Sequence, residues 1–149
     1  MTKIINLEKQ FGKGHEIIFG IYPHDGITEC LIHYIFPENK FGVRIMGYQI
    51  KDKLIVSDLQ TNNPTSKKER LATTKAIINM SPIVFEQLKR NNIFQIEGST
   101  NNAIANLVKK RLGAEVEKMK KRSTLREAII QKKVAQGKKK PTTRVKIRI

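Results

Sequence analysis

A run of β-branched and aromatic segments in residues 1–60 limits the fold most, because connections too short to cross a sheet join them. Residues 16–22 (EIIFGIY), 27–36 (ITECLIHYIF), 41–50 and 54–59 read as strands. Pro23-His24-Asp25-Gly26 and Lys51-Asp52-Lys53 separate them as turns, the first with a Gly suited to positive φ. Parallel neighbours need a crossover of a dozen or more residues, so strands joined this way pair antiparallel. Residues 3–7 add a candidate edge strand.

The period then changes. Residues 60–65 (QTNNPT) are a loop by composition, and Ser66-Lys67-Lys68-Glu69 has the form of a capping box. Leu71, Ala72, Lys75, Ala76 and Ile78 follow at helical spacing. Ser81 suits an N-cap and Pro82 a first helical position, so a separate helix is predicted over 82–90. Residues 93–97 alternate as a short strand. Ile104, Leu107, Val108, Leu112, Val116 and Met119 then recur at steps of three and four, the apolar stripe of a helix. Thr124 with Glu127 forms a second capping box, and Gly137 and Pro141 end the helix it opens. In the tail 142–149 (TTRVKIRI), Arg144, Lys146 and Arg148 alternate with Val145, Ile147 and Ile149, a basic strand expected to pair only once docked.

These elements predict an α+β fold: an antiparallel meander of four to five strands, helices packed on one face, and a basic helical C-terminal arm. The division expected is an α+β domain over 1–113 and an arm with an extended tail over 114–149.

Charge separates the two parts further. Residues 1–100 carry 13 basic and 10 acidic side chains, whereas residues 101–149 carry 16 and 3. So concentrated a surplus repels itself and calls for a polyanion: nucleic acid, an anionic membrane or an acidic protein. A membrane is disfavoured, since no run reaches the roughly 18 apolar residues of a span and the basic stripe has no Trp and no Phe after Phe94. One cysteine, Cys30, cannot form a disulfide framework, and the N-terminus lacks the apolar core of a signal peptide. A cytoplasmic protein is expected, or one packaged in a virion. The preference for Lys, Ile and Asn fits an AT-rich genome, as in certain bacteria and their phages.

Little in the chain suggests catalysis. His24, Asp25, Cys30 and His33 are the best metal set, but residues three apart on a strand face opposite ways, so Cys30 and His33 diverge. No Gly-x-Ser-x-Gly elbow or His-Glu-x-x-His occurs, and Phe11-Gly12-Lys13-Gly14-His15 lacks the ending of a phosphate loop. No enzyme activity, metal or cofactor is expected.

The candidate nucleic-acid contacts are Lys109, Lys110, Arg111, Lys118, Lys120, Lys121, Arg122, Arg126, Lys132 and Lys133 around the helical stripe. Lys138, Lys139, Lys140, Arg144, Lys146 and Arg148 follow in the tail. Their role is counterion release, which positions the protein without reading bases. Gly98-Ser99-Thr100, read as a strand-to-helix turn, is a candidate phosphate contact, and an ordinary N-cap is the plainer reading. Tyr34, Arg44 and Tyr48, with Met46, Phe36 and Tyr22, are candidates for a base-stacking platform if their faces coincide. The alternative is that these aromatics fill the core.

Asn62-Asn63, Arg70-Leu71-Ala72-Thr73-Thr74 and Ile96-Glu97-Gly98-Ser99-Thr100 carry a resemblance. Over about residues 54–112 the pattern resembles a family of small uncharacterised domains found often in Bacteroidetes. The resemblance implies a meander, a helix, a strand ending in Gly-Ser-Thr and a last helix, and it brings no activity. That family usually continues with an Arg and a Leu-Tyr pair, where this chain has AIANL (103–107). In architecture the order of strands then helix is also similar to Whirly and Pur-alpha-like single-strand binders.

The function expected is non-catalytic binding of DNA or RNA with low sequence specificity. The alternative is a structural component of a phage or mobile-element assembly, a virion or ribonucleoprotein, whose basic arm docks on a neighbouring subunit, within a homo-oligomer or a larger assembly.

Overall fold

The structure is a computed structural model that describes residues 1–36, 39–61, 67–100, 102–118, 124–137 and 141–149. One eight-stranded mixed sheet organises it, in the order β1-β2-β3-β4-β5-β6-β8-β7. β1 (Thr2–Asn6), β2 (Glu16–His24), β3 (Ile27–Phe36), β4 (Asn39–Ile50) and β5 (Lys53–Thr61) pair antiparallel in sequence order. A one-turn helix, α1 (Glu8–Phe11), links β1 to β2 and is held by the Asn6 side chain, which accepts the Glu8 amide at 2.8 Å. The turn between β2 and β3 puts both Asp25 and Gly26 at positive φ, the geometry that matches strand twist in a two-residue hairpin.

β5 would end the meander as an open edge. The chain instead crosses over through α2 (Lys67–Arg90) and lays β6 (Gln95–Thr100) parallel to β5, pairing Leu54 with Ile96 and Ile55 with Glu97. α3 (Asn102–Leu112), β7 (Glu115–Lys118), α4 (Thr124–Ala135) and β8 (Thr143–Arg148) follow. β8 inserts between β6 and β7, antiparallel to both.

The expected four-to-five-strand meander with a separate arm is thereby corrected, although the fold is broadly α+β. The period-two tail is a strand, but its partners lie in its own chain. Its apolar side, Val145, Ile147 and Ile149, joins the core, and Arg144, Lys146 and Arg148 face the other way. Gly113, at φ +67°, closes α3 with its amide on the Lys109 carbonyl at 3.1 Å. Val116 therefore belongs to β7 and not to a continued helix.

Helices on a single face are also corrected. Ile17, Phe19, Ile32, Tyr34, Val43 and Leu54 point to one face, where Met80, Val84 and Leu88 of α2 cover them. α3 packs on that same face further along, Ala105 and Val108 against Val116, Val145 and Ile147. α4 lies on the opposite face over β5, with Ile129 and Ile130 buried.

The predicted break at Ser81-Pro82 does not occur either, because α2 runs through it. Proline has no N–H for the Ile78 carbonyl four residues back, and the Ser81 hydroxyl donates to that carbonyl at 2.7 Å.

Candidate nucleic-acid interface

The basic residues of the C-terminal third divide into two groups. The first is folded inward around Glu97. This carboxylate sits on β6 with a side chain only 3% exposed, and the buried Arg126 of α4 pairs with it closely. Arg144 of β8 donates to it at 3.1 Å, Gln95 at 2.6 Å, and Lys53 of β5 stands at 3.6 Å. Burial alone would raise the Glu97 pKa. Arg126 first and Arg144 next outweigh that and hold it below the usual carboxylate range. Two exposed pairs continue the row, Arg144 with Glu117 at 3.4 Å and Arg148 with Glu115 at 3.4 Å.

Arg126, Arg144 and Arg148 were expected to meet phosphate, and here they pair with carboxylates of their own chain. Lys133 donates to the Ser99 carbonyl at 3.1 Å and so ties α4 to β6. Lys146, half-buried, stands opposite Glu97 on one side and Glu115 on the other. Sequence reasoning missed Glu97 as a hub. The signal was present, since Gln95, Glu97 and Ser99 share one side of a strand, and Arg144, Lys146 and Arg148 share one side of another.

The second group stays outside. Lys109, Lys110 and Arg111 occupy the last turn of α3, where cations also suit the helix dipole. Lys118 ends β7, on which α3 packs. All four are exposed and have no carboxylate partner among the described residues. Lys132 is exposed on α4. Met119, Lys120, Lys121, Arg122, Lys138, Lys139 and Lys140 lie outside the described residues, as do Asn62, Asn63 and the Ser66 cap.

Gly98, Ser99 and Thr100 do not form a turn. They are strand residues whose register partners on β8 are Val145, Arg144 and Thr143, so the expected strand-to-helix phosphate loop is corrected. Thr143 donates to the side chain of Asn102 at the start of α3, which joins helix and strand.

The candidate platform separates by face. Tyr34 is a core residue opposite Ile17 and Val43, and burial pushes its phenol pKa up. Arg44, Met46 and Tyr48 point to the other face, joined by Tyr22 and Glu29, with Glu29 directly between the two tyrosines. All of these but Arg44, together with Leu31, Ser57 and Lys132 of α4, border a cleft of about 300 Å³. Gly47, opposite Cys30 on β3, borders it with its backbone, and a Cβ there would crowd the Ile55 carbonyl oxygen and the Leu54 side chain.

Cys30 and His33 face opposite sides of β3, and burial pushes the Cys30 thiol up to about 12, protonated at neutral pH. Among the described residues no three His, Cys, Asp or Glu side chains could hold a metal ion, and no helix is long and apolar enough to cross a membrane. Comparison with known proteins returned no matching family model, curated protein or solved structure.

Proposed function

We propose that the protein binds nucleic acid, DNA or RNA, through its phosphates, without catalysis and with low sequence specificity. The observation that carries this reading is the division of charge just described. Glu115 and Glu117, two of the three acids after residue 100, face arginines of the sheet. Among the described residues, Lys109, Lys110, Arg111 and Lys118 are left without a carboxylate partner as a group on α3 and β7. Such a group attracts a polyanion over the distance of a Debye length and gains affinity by releasing its counterions.

The surface is narrower than the sequence implied. Arg126 and Arg144 act inside the fold, Arg148 is held in an exposed pair with Glu115, and Lys120, Lys121 and Arg122 add to the basic set by sequence alone. In the alternative, a basic arm that docks on a neighbouring subunit would use a surface other than the edges of β8, which β6 and β7 occupy.

The test is the salt dependence of binding to single-stranded DNA and RNA and to duplex. Affinity should fall log-linearly with salt. The combined variant Lys109→Ala, Lys110→Ala, Arg111→Ala, Lys118→Ala should flatten the single-strand slope by about 0.7 for each phosphate no longer neutralised. Binding indifferent to salt, or unchanged in that variant, overturns the reading.

A further inference from the structure

The cleft on the α4 side of the sheet contains groups that phosphate binding does not use. Tyr22 lies over Gly20 on its own strand: a Cβ at Gly20 would meet the Tyr22 ring at 2.5–2.6 Å and crowd its hydroxyl. The ring is therefore laid along the sheet, and its hydroxyl is fixed at the far end by Thr2 at 2.7 Å. Tyr22 stays 37% exposed, so this fixed ring still presents surface to solvent. Glu29 is its neighbour across the strands, and Tyr48 is the next neighbour beyond. Glu29 is exposed and has no ion-pair partner among the described residues. Lys132 supplies a cation at the border.

We propose that this cleft seats one unpaired guanine of the bound strand, stacked on Tyr22 and Tyr48, with its Watson–Crick edge on Glu29 and its phosphate on Lys132. The proposal rests on the nucleic-acid reading and adds a base preference to it. An ionised carboxylate only accepts hydrogen bonds, through two oxygens side by side. Guanine answers with two adjacent donors, N1–H and N2–H. Adenine and cytosine place a single amino group beside an acceptor, which the second carboxylate oxygen repels. Thymine and uracil present one N–H between two carbonyls. Stacking accepts any base, so the choice among bases falls to Glu29. The cleft volume stands at the low end of small-molecule sites, suited to one base and its sugar.

The experiment compares short oligothymidylates that carry one central guanine, adenine, hypoxanthine or no substitution. Binding is read by anisotropy of a labelled strand and by quenching of tyrosine emission, which is legible because the chain has three Tyr and no Trp. The guanine strand should bind about tenfold or more tighter than the unsubstituted one, as expected for a two-bond base contact. Hypoxanthine, which lacks the amino group, should lose most of that gain. Glu29→Gln should abolish the gain and keep the affinity for oligothymidylate, and Tyr48→Leu should reduce both the gain and the quenching. If all strands bind the native protein alike, or if the preference survives Glu29→Gln, the guanine site is overturned while phosphate binding stands. If no strand binds, the nucleic-acid reading itself fails. Equal affinity for guanosine monophosphate and for the guanine strand overturns the strand as the ligand and leaves a nucleotide site.

Discussion

Glu97 concentrates the electrostatics of the fold in one side chain. Its partners come from β5, α4 and β8, so a single carboxylate ties three elements to β6. Removing it takes the closest countercharge from the buried Arg126, and breaking a buried pair at one partner costs more than the pair gains. Glu97→Gln should therefore lose about 3–5 kcal/mol of unfolding free energy, measured by denaturant titration. Adding Arg126→Met should recover part of the loss, because the buried cation goes too. The acid side follows from the same contact. An unfolded glutamate takes up its proton near pH 4.3, about its free value, and the folded one is held lower. The stabilisation is complete well above that pH and is lost as pH falls below it toward the folded value. Thermal melting should thus drop below about pH 4.3 in the native chain, and the drop should be shallower in Glu97→Gln.

Pro82 poses the same kind of local conflict within a helix. A proline in the interior of α2 forgoes the bond to Ile78, and Ser81 satisfies that carbonyl instead. Ser81→Ala should therefore cost about 1 kcal/mol in the native chain. In a Pro82→Ala background, where the restored amide reaches Ile78, it should cost almost nothing. A double-mutant cycle on melting or denaturation midpoints measures that coupling, and additive effects would contradict the assignment. The site shows why sequence reasoning places a helix start here: serine and proline each prefer one, and the bond that overrides both preferences is a rotamer choice. Reading was reliable where the signal was local, as in the hairpin turn at Asp25-Gly26 and the alternation of β8. It failed where pairing was distant. The alternation of Arg144, Lys146 and Arg148 marks a charged strand side, but it does not say that Glu97, 47 residues earlier, faces it. Gly98, Ser99 and Thr100 resembled a cap because small polar residues serve caps and inner strands alike. Of the candidate interface, Lys109, Lys110, Arg111 and Lys118 were legible as exposed cations. Tyr34 was not separable from Tyr48 without the register of β3 on β4, which sets Tyr34 opposite Val43 and so on the other face from Tyr48.

The charge gradient invites an experiment that the whole molecule forbids: cutting away residues 114–149 to remove a binding arm. Those residues hold β7, α4 and β8, and with them the buried Ile129, Ile130, Thr143 and Val145. Without them β6 becomes an edge with unpaired backbone groups, Glu97 loses Arg126 and Arg144, and Ala105 of α3 loses the strands it packs on. A chain ending at residue 113 should therefore show no cooperative thermal transition and should aggregate, visible by circular dichroism and size-exclusion chromatography. Loss of nucleic-acid binding in that fragment would say nothing about which residues touch the ligand. The four-site substitution on α3 and β7 changes exposed side chains only, so its melting midpoint should stay within the shift that about 0.5 kcal/mol produces. A folded, cooperative fragment would instead mean that the sheet closes without β8, and that the inward-facing arginines are held there only weakly. The two results separate charge that builds the fold from charge that meets a ligand, a distinction that a count of basic residues cannot make.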